Sequence, residues 1–144
     1  MNFTAIQTEL VDAIGGIVPN TVKVLVSEDL AAVEERSQYT PSVHVVYNGY
    51  RIKNSTSNGK AAQIIYTFDV VACTRSARGA GQTTDAAIKA GELCELVAKN
   101  LMGRSLASAR SNSLQLVQAP NPVYSAGFIY LPLSFEIEAY FSAT

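Results

Sequence analysis

His44 is the only histidine of the chain. It stands in an alternating run, Val43 to Tyr47, with no cysteine or carboxylate beside it, so it reads as a structural imidazole rather than a base or a metal ligand. Cys73 and Cys94 are two isolated thiols that match neither a zinc site nor a disulfide framework. Cys94 falls on the apolar side of a helix, where a free thiol behaves as a small hydrophobe. The run Gly79-Ala80-Gly81-Gln82-Thr83-Thr84 precedes a helix, a setting in which backbone N–H groups can hold an anion. It lacks the Gly-Lys-Ser/Thr ending of a phosphate loop and the spacing of a dinucleotide fingerprint, and an ordinary loop is the simpler reading. No Gly-x-Ser-x-Gly elbow occurs. Glu136 and Glu138 share one strand face and have the residue types of an acid pair. Beside Ser134 and Tyr140, they read better as a solvated or interfacial face. Asp69 lies on the more open face of its strand, within reach of a base or a neighbouring hydroxyl. These residues assemble no catalytic set, no metal site and no cofactor cradle, and the chain reads as a non-enzyme.

The elements that carry these residues are dominated by the last strand, Phe128 to Phe141. One register of it is wholly apolar: Ile129, Leu131, Leu133, Phe135, Ile137, Ala139 and Phe141. The other turns from Phe128 and Tyr130 to Ser134, Glu136 and Glu138. Side chains alternate faces along a strand, so one face is buried for its whole length. Ala62 to Ala72 repeats the pattern. Two such one-sided strands imply an antiparallel sheet with one covered and one more open face.

In order, Phe3, Ile6, Leu10 and Ile14 predict a helix ended by Gly15-Gly16. Thr21 to Val26 is a short β-branched strand. Ser27 caps a helix from Glu28 to Arg36. Ser42 to Lys53 and Ala61 to Thr74 are strands joined by a polar turn, with Asn58-Gly59 supplying its φ > 0 positions. Gly49 marks a bulge. Fourteen residues of strand reach roughly 46 Å, against a diameter near 37 Å for a compact globule of this size. The strand therefore bends strongly or its hairpin projects. Thr83 or Thr84 caps the main helix, which runs to about Met102 and buries Ala87, Ala90, Cys94, Val97 and Leu101. Leu114 to Ala119 is a short strand, Gly127 a break, and Pro132 requires an edge position or a bulge.

At 144 residues one domain, residues 1–144, is the default, and it needs neither disulfide nor metal to fold. The expected class is α+β: a mostly antiparallel sheet of four or five strands, two main helices on its apolar face, and a projecting hairpin. The other face, with Val46, Ile65, Val71, Phe128 and Tyr130, is expected to be open to partners. The net charge of −1 argues against nucleic acid or an anionic membrane as the main partner. Neither a signal peptide nor a membrane span is visible, and the chain reads as a protein of a reducing cytosol. The charge is unevenly spread. Residues 1–40 set Lys23 and Arg36 against Glu9, Asp12, Glu28, Asp29, Glu34 and Glu35, a balance of −4; residues 51–78 set Arg51, Lys53, Lys60, Arg75 and Arg78 against Asp69, a balance of +4. These are either ordinary solvated faces or an acidic part of one subunit that meets a basic part of another.

The order of elements, the opening Pro41-Ser42-Val43-His44-Val45 and the closing Leu133-Ser134-Phe135-Glu136-Ile137 strand resemble the tail terminator proteins of long-tailed bacteriophages, of the lambda type and the Mu-like type. The resemblance covers nearly the whole chain. It implies a structural virion protein, assembled in the host cytoplasm, that forms a ring, usually a hexamer, on the head-proximal end of the tail tube. Such a ring stops tube polymerisation and presents the surface that joins the head–tail connector. Its implied partners are copies of itself, the tube protein, the connector and, in contractile tails, the last sheath ring; DNA only passes through the lumen. The expected interface residues are Arg51, Lys53, Lys60, Arg75 and Arg78 on one side and Glu28, Asp29, Glu34 and Glu35 on the other. A head–tail joining or tail-completion protein of related fold is the alternative, and a small-ligand-binding domain a more distant one.

Overall fold

The computed structural model describes residues 2–35, 40–76 and 84–143, with backbone alone for Leu30, Glu34, Glu35 and Thr84. Helix α1 spans Phe3–Ile17 and buries Ile6, Leu10 and Ile14. Asn2 caps it by accepting from the Ala5 amide at 3.0 Å. It does not stop at Gly15-Gly16. Glycine weakens a helix by about 1 kcal/mol without ending it, and Ile17 and Val18 pack on the core. The stop comes at Val18, whose ψ of 155° is the extended backbone that Pro19 requires of the residue before it.

Strand β1, Lys23–Ser27, is parallel to β2, Ser42–Ser55, from Lys23↔Ser42 to Ser27↔Val46. Helix α2, Leu30–Glu35, is capped by Asp29, which accepts from the Ala32 amide at 2.9 Å. Ser27, the expected cap, instead bonds the His44 imidazole at 2.9 Å.

Strands β2 and β3, Ala61–Arg75, form the long hairpin. The bulge falls where Gly49 stands: the register shifts between Tyr47↔Phe68 and Tyr50↔Tyr66, and Gly49 has φ +94°. In the turn, Gly59 takes φ +72°, while the Asn58 side chain accepts from the Lys60 amide at 3.1 Å. Helix α3, Thr84–Leu101, buries Ala86, Ala90, Leu93, Cys94, Val97 and Leu101. Thr83, the Gly79–Gln82 run and Arg78 lie outside the described residues.

The stretch after α3 forms β4, Ser105–Leu106, a 3-10 turn at Ala107–Ala109, β5, Asn112–Ser113, and β6, Gln115–Val117. Strand β7, Val123–Ser125, turns through Ala126-Gly127, at φ 52° and 86°, into β8, Phe128–Ser142. Two consecutive positive φ values give the two-residue turn that suits a twisted hairpin. Pro132 faces the gap between β7, which begins opposite Tyr130, and β6, which ends opposite Ser134. No ladder on that side needs its missing N–H.

Among the described residues the main sheet has six strands rather than four or five, ordered β1-β2-β3-β8-β6 with β7 also on β8. All pairs but β1–β2 are antiparallel, and the class is α+β as expected. The covered face joins Val43, Val45, Ile64, Phe68, Val70, Phe135 and Ile137 to α1 and α3. Each large apolar side chain so buried contributes about 1.5–3 kcal/mol. The second face is not open at its inner end, contrary to expectation. Val46, Val71 and Tyr130 form a second cluster with Val33 of α2 and Cys73, and Phe128 packs against it; Ile65 is 7% exposed. The short helix α2 puts Val33 on that end of the face.

Candidate functional site

The outer end of β2, residues 50–55, the turn to residue 60 and the end of β8, residues 140–142, are exposed, while Ile64, Tyr66, Ile137 and Ala139 between them stay in the core. Strand β3 pairs β8 without interruption from Arg75↔Phe128 to Ala61↔Ser142, so this end of the sheet is a three-stranded ribbon rather than a two-stranded hairpin.

The ribbon has two unlike faces. On one, Arg51 reaches Glu136 at 3.2 Å, and Lys53 pairs with Glu138. Glu138 also accepts from Gln63 Nε2 at 2.8 Å. The Lys53 and Gln63 contacts, with the Lys53 charge, hold its carboxyl below the ordinary glutamate value against slight burial. The two carboxylates expected to face solvent or a partner are thus matched by cations of their own chain.

On the other face Tyr50, Ile52 and Phe141 are 57%, 54% and 42% exposed. The bulge keeps Tyr50 and Ile52 on the same side as Val43, Val45 and Tyr47, since the register steps from Tyr47↔Phe68 to Tyr50↔Tyr66. Helix cover ends where Phe3 of α1 stacks on Tyr47, centroids 4.1 Å apart. Beyond it Tyr50 and Phe141 meet edge-on at 6.2 Å and both lean on Tyr66. Phe141, expected to be buried with the rest of its register, is half-exposed at the strand's end, and Tyr50 and Ile52 were not singled out in the sequence. The available signal was the apolar alternation continuing past Gly49, beyond the length a 15-residue helix covers.

The basic residues do not form one patch. Lys60 sits in the ribbon's turn and its ammonium has no partner among the described residues. Arg75 lies at the opposite end of β3, its guanidinium 5.4 Å from the Phe128 ring centroid. Arg78 is outside the described residues. On the acidic side, Asp29 caps α2. Glu28 is exposed and lines a groove of about 560 Å³ with Phe3, Gln7 and Tyr47. Nothing is described of the Glu34 and Glu35 side chains.

The remaining chemistry-bearing residues are enclosed. His44 is fully buried between the hydroxyls of Ser27 and Ser42, at 2.9 and 3.0 Å. Asp69 is buried and accepts from the Ser134 hydroxyl. Burial pushes the Cys73 and Cys94 thiols up to about 11, which keeps both un-ionised and unreactive. A second groove of about 470 Å³, at the far end of the sheet from the ribbon turn, is lined by apolar residues including Val22, Pro41, Leu93 and Leu96 and equally by polar ones including Thr74, Arg75, Lys89 and Glu92. Among the described residues no group of three or more His, Cys, Asp or Glu gathers as a metal site would require. What the surface offers is contact area.

A family model described as "Phage tail terminator protein" matches residues 1–143. No curated protein matches the chain.

Proposed function

This chain belongs to the phage tail terminator family, and on that premise we propose that it caps the head-proximal end of the tail tube as a ring, a hexamer by the family resemblance. The family makes it a structural protein of the virion tail that assembles with other tail and head proteins. In the proposed role the ring ends tube growth and presents the surface on which the head connector docks. The observation that carries this reading is the family match over essentially the whole chain. The ribbon supports it: a closed ring joins two different patches at every subunit boundary, and an exposed strand ribbon is one such patch. Of the charges expected at the interface, Arg51 and Lys53 are engaged within the chain. Among the described side chains, Lys60 and Glu28 are left for a neighbour or the tube, and Arg75 stands over the Phe128 ring.

The test is the mass of the purified protein by light scattering across concentration, with negative-stain images and a tube-capping assay. A ring whose mass is a fixed multiple of 15.4 kDa, or a monomer that blocks elongation of purified tube ends, is expected. A monomer that does neither overturns the reading and leaves the head–tail joining role.

A further inference from the structure

The ribbon has two open edges. On one side β1 ends opposite Val46, so no strand among the described residues lies outside Asn48–Ser55 of β2. On the other, β6 begins opposite Glu136 and runs toward Ser134, so among the described residues Ala139, Tyr140 and Phe141 of β8 have β3 as their strand partner and none beyond. The edges stand at the same height, since Ile52, Ile64 and Ala139 align across the three strands, as do Ser55, Ala62 and Phe141. Open edges invite another strand, and proteins usually block them with outward-pointing charges, lysine above all. Here the β2 cations are turned away from their edge. Arg51 and Lys53 fold back over β3 onto Glu136 and Glu138. Asn112 Nδ2 donates to the Glu138 carbonyl at 3.0 Å, so the open stretch of β8 starts after Glu138. Beside the edges stand Tyr50, Ile52, Tyr140 and Phe141, between 42% and 57% exposed, with the Arg110 guanidinium 6.0 Å from the Tyr140 ring centroid.

Direction selects the occupant. Strands β2 and β8 are both antiparallel to β3 and therefore run the same way. Rotation about a ring axis preserves strand direction, so β2 of one copy meets β8 of the next as a parallel pair. The two edges differ, so the contact is heterologous and repeats until the ring closes, leaving no edge open. A single strand from another protein satisfies only one of them. We propose that Asn48–Ser55 of each subunit pairs in parallel with the Ala139–Phe141 edge of a second copy of this chain, each subunit adding three strands to one closed sheet. Tyr50 and Ile52 of one subunit then lie beside Phe141 of the next, continuing the apolar face around the ring. This inference rests on the ring reading above.

The test places one cysteine at Ile52, Lys53, Asn54 or Ser55 and one at Tyr140, Phe141 or Ser142, in all twelve combinations. Rings, or rings on purified tube ends, are then oxidised. The native thiols Cys73 and Cys94 are buried and stay out of the reaction. At least one pair is expected to give a covalent ladder up to the full ring, with no ladder from either single variant. Hydrogen exchange on the unmodified protein supplies a second readout: the fast amides of residues 48–55 slow at least tenfold on assembly. Rings that form without a ladder from any pair and without slowed exchange overturn the edge pairing and leave the ring reading intact. A dimer from an Ile52→Cys or Asn54→Cys single variant also overturns it, because β2 then pairs with β2. Wild-type protein that neither forms rings nor caps tubes overturns both.

Discussion

Glu9 and Ser108, 99 residues apart in the chain, are joined by two hydrogen bonds to one carboxylate oxygen: Glu9 Oε1 accepts from the Ser108 amide at 2.8 Å and its hydroxyl at 2.6 Å. The other oxygen accepts from the Ala107 amide at 2.9 Å. This clamp ties α1 to the 3-10 turn, and the same excursion buries Leu106, Ala109 and Leu114 in the core with Ile64 and Ala139 at the root of the ribbon. Slight burial raises the Glu9 carboxyl, but the three bonds and the Arg104 charge outweigh it, and the group lies below its ordinary value of 4.5. Its contribution is therefore present above that value and is lost as the pH falls through the depressed folded value. Glu9→Ala is expected to cost about 1 kcal/mol, as the loss of a cap does, and to flatten the acid side of the stability profile. Urea denaturation of both proteins between pH 7 and pH 3 measures this; parallel profiles would remove the clamp from the account.

Asp69 behaves in the opposite sense. Burial raises its carboxyl above 3.8, and the Ser134 hydrogen bond offsets this only in part. The folded state holds this proton more tightly than the unfolded chain, so stability falls as the pH rises from 3.8 through the raised folded value. Asn at this position keeps a hydrogen bond to Ser134 without the buried charge. Asp69→Asn is expected to gain roughly 1 kcal/mol at pH 7 and to show no gain below about pH 3.5. Thermal unfolding at the two pH values checks it, and an Asn variant less stable at pH 7 would show that the charge has an unrecognised counterpart.

Periodicity made much of this fold legible. The one-sided β8 and β3, the α1 and α3 stripes and the Gly49 bulge are local signals in which each residue reports its own face. What failed depended on distant partners. Gly15-Gly16 read as a stop because the burial of Ile17 and Val18 lies outside that local pattern. Ser27 read as a cap because its tie to His44 spans 17 residues. Arg51 and Lys53 read as free docking charges because their carboxylates lie 85 residues downstream, across a strand pairing that no local pattern specifies. The exposed Tyr50, Ile52 and Phe141 were hidden for a related reason: an apolar residue in an alternating strand looks buried until the length of the covering helix is known.

The Arg51–Glu136 pair, with side chains 58% and 22% exposed, is weakly coupled, by about 0.2–1 kcal/mol. Arg51→Glu is expected to cost up to about 1 kcal/mol, and adding Glu136→Arg should recover most of the loss. Raised salt should shrink the coupling. A double-mutant cycle by urea denaturation at low and high salt measures it. Strict additivity would mean that the two charges do not interact in solution, and would return Arg51 to the set available for a neighbour.

Tyr50, Ile52 and Phe141 separate folding from assembly. About half of each lies in water, and the Tyr50 and Phe141 rings meet each other and Tyr66. Replacing all three with serine is therefore expected to lower the stability of the isolated subunit by roughly 1–2 kcal/mol, well short of the 3–5 kcal/mol that a single buried aromatic commands. At a subunit boundary the same residues would be central apolar anchors, each contributing about 1–2 kcal/mol, and 1.4 kcal/mol is a tenfold change in an association constant. The triple variant should thus remain folded and weaken ring formation or tube capping by a factor of a hundred or more. Circular dichroism melts and sedimentation velocity on the same preparations distinguish the outcomes. A folded variant that assembles at the wild-type concentration would make these side chains an exposed surface without a partner, and would leave the charged face of the ribbon and the Glu28 corner as the surfaces that join one subunit to the next.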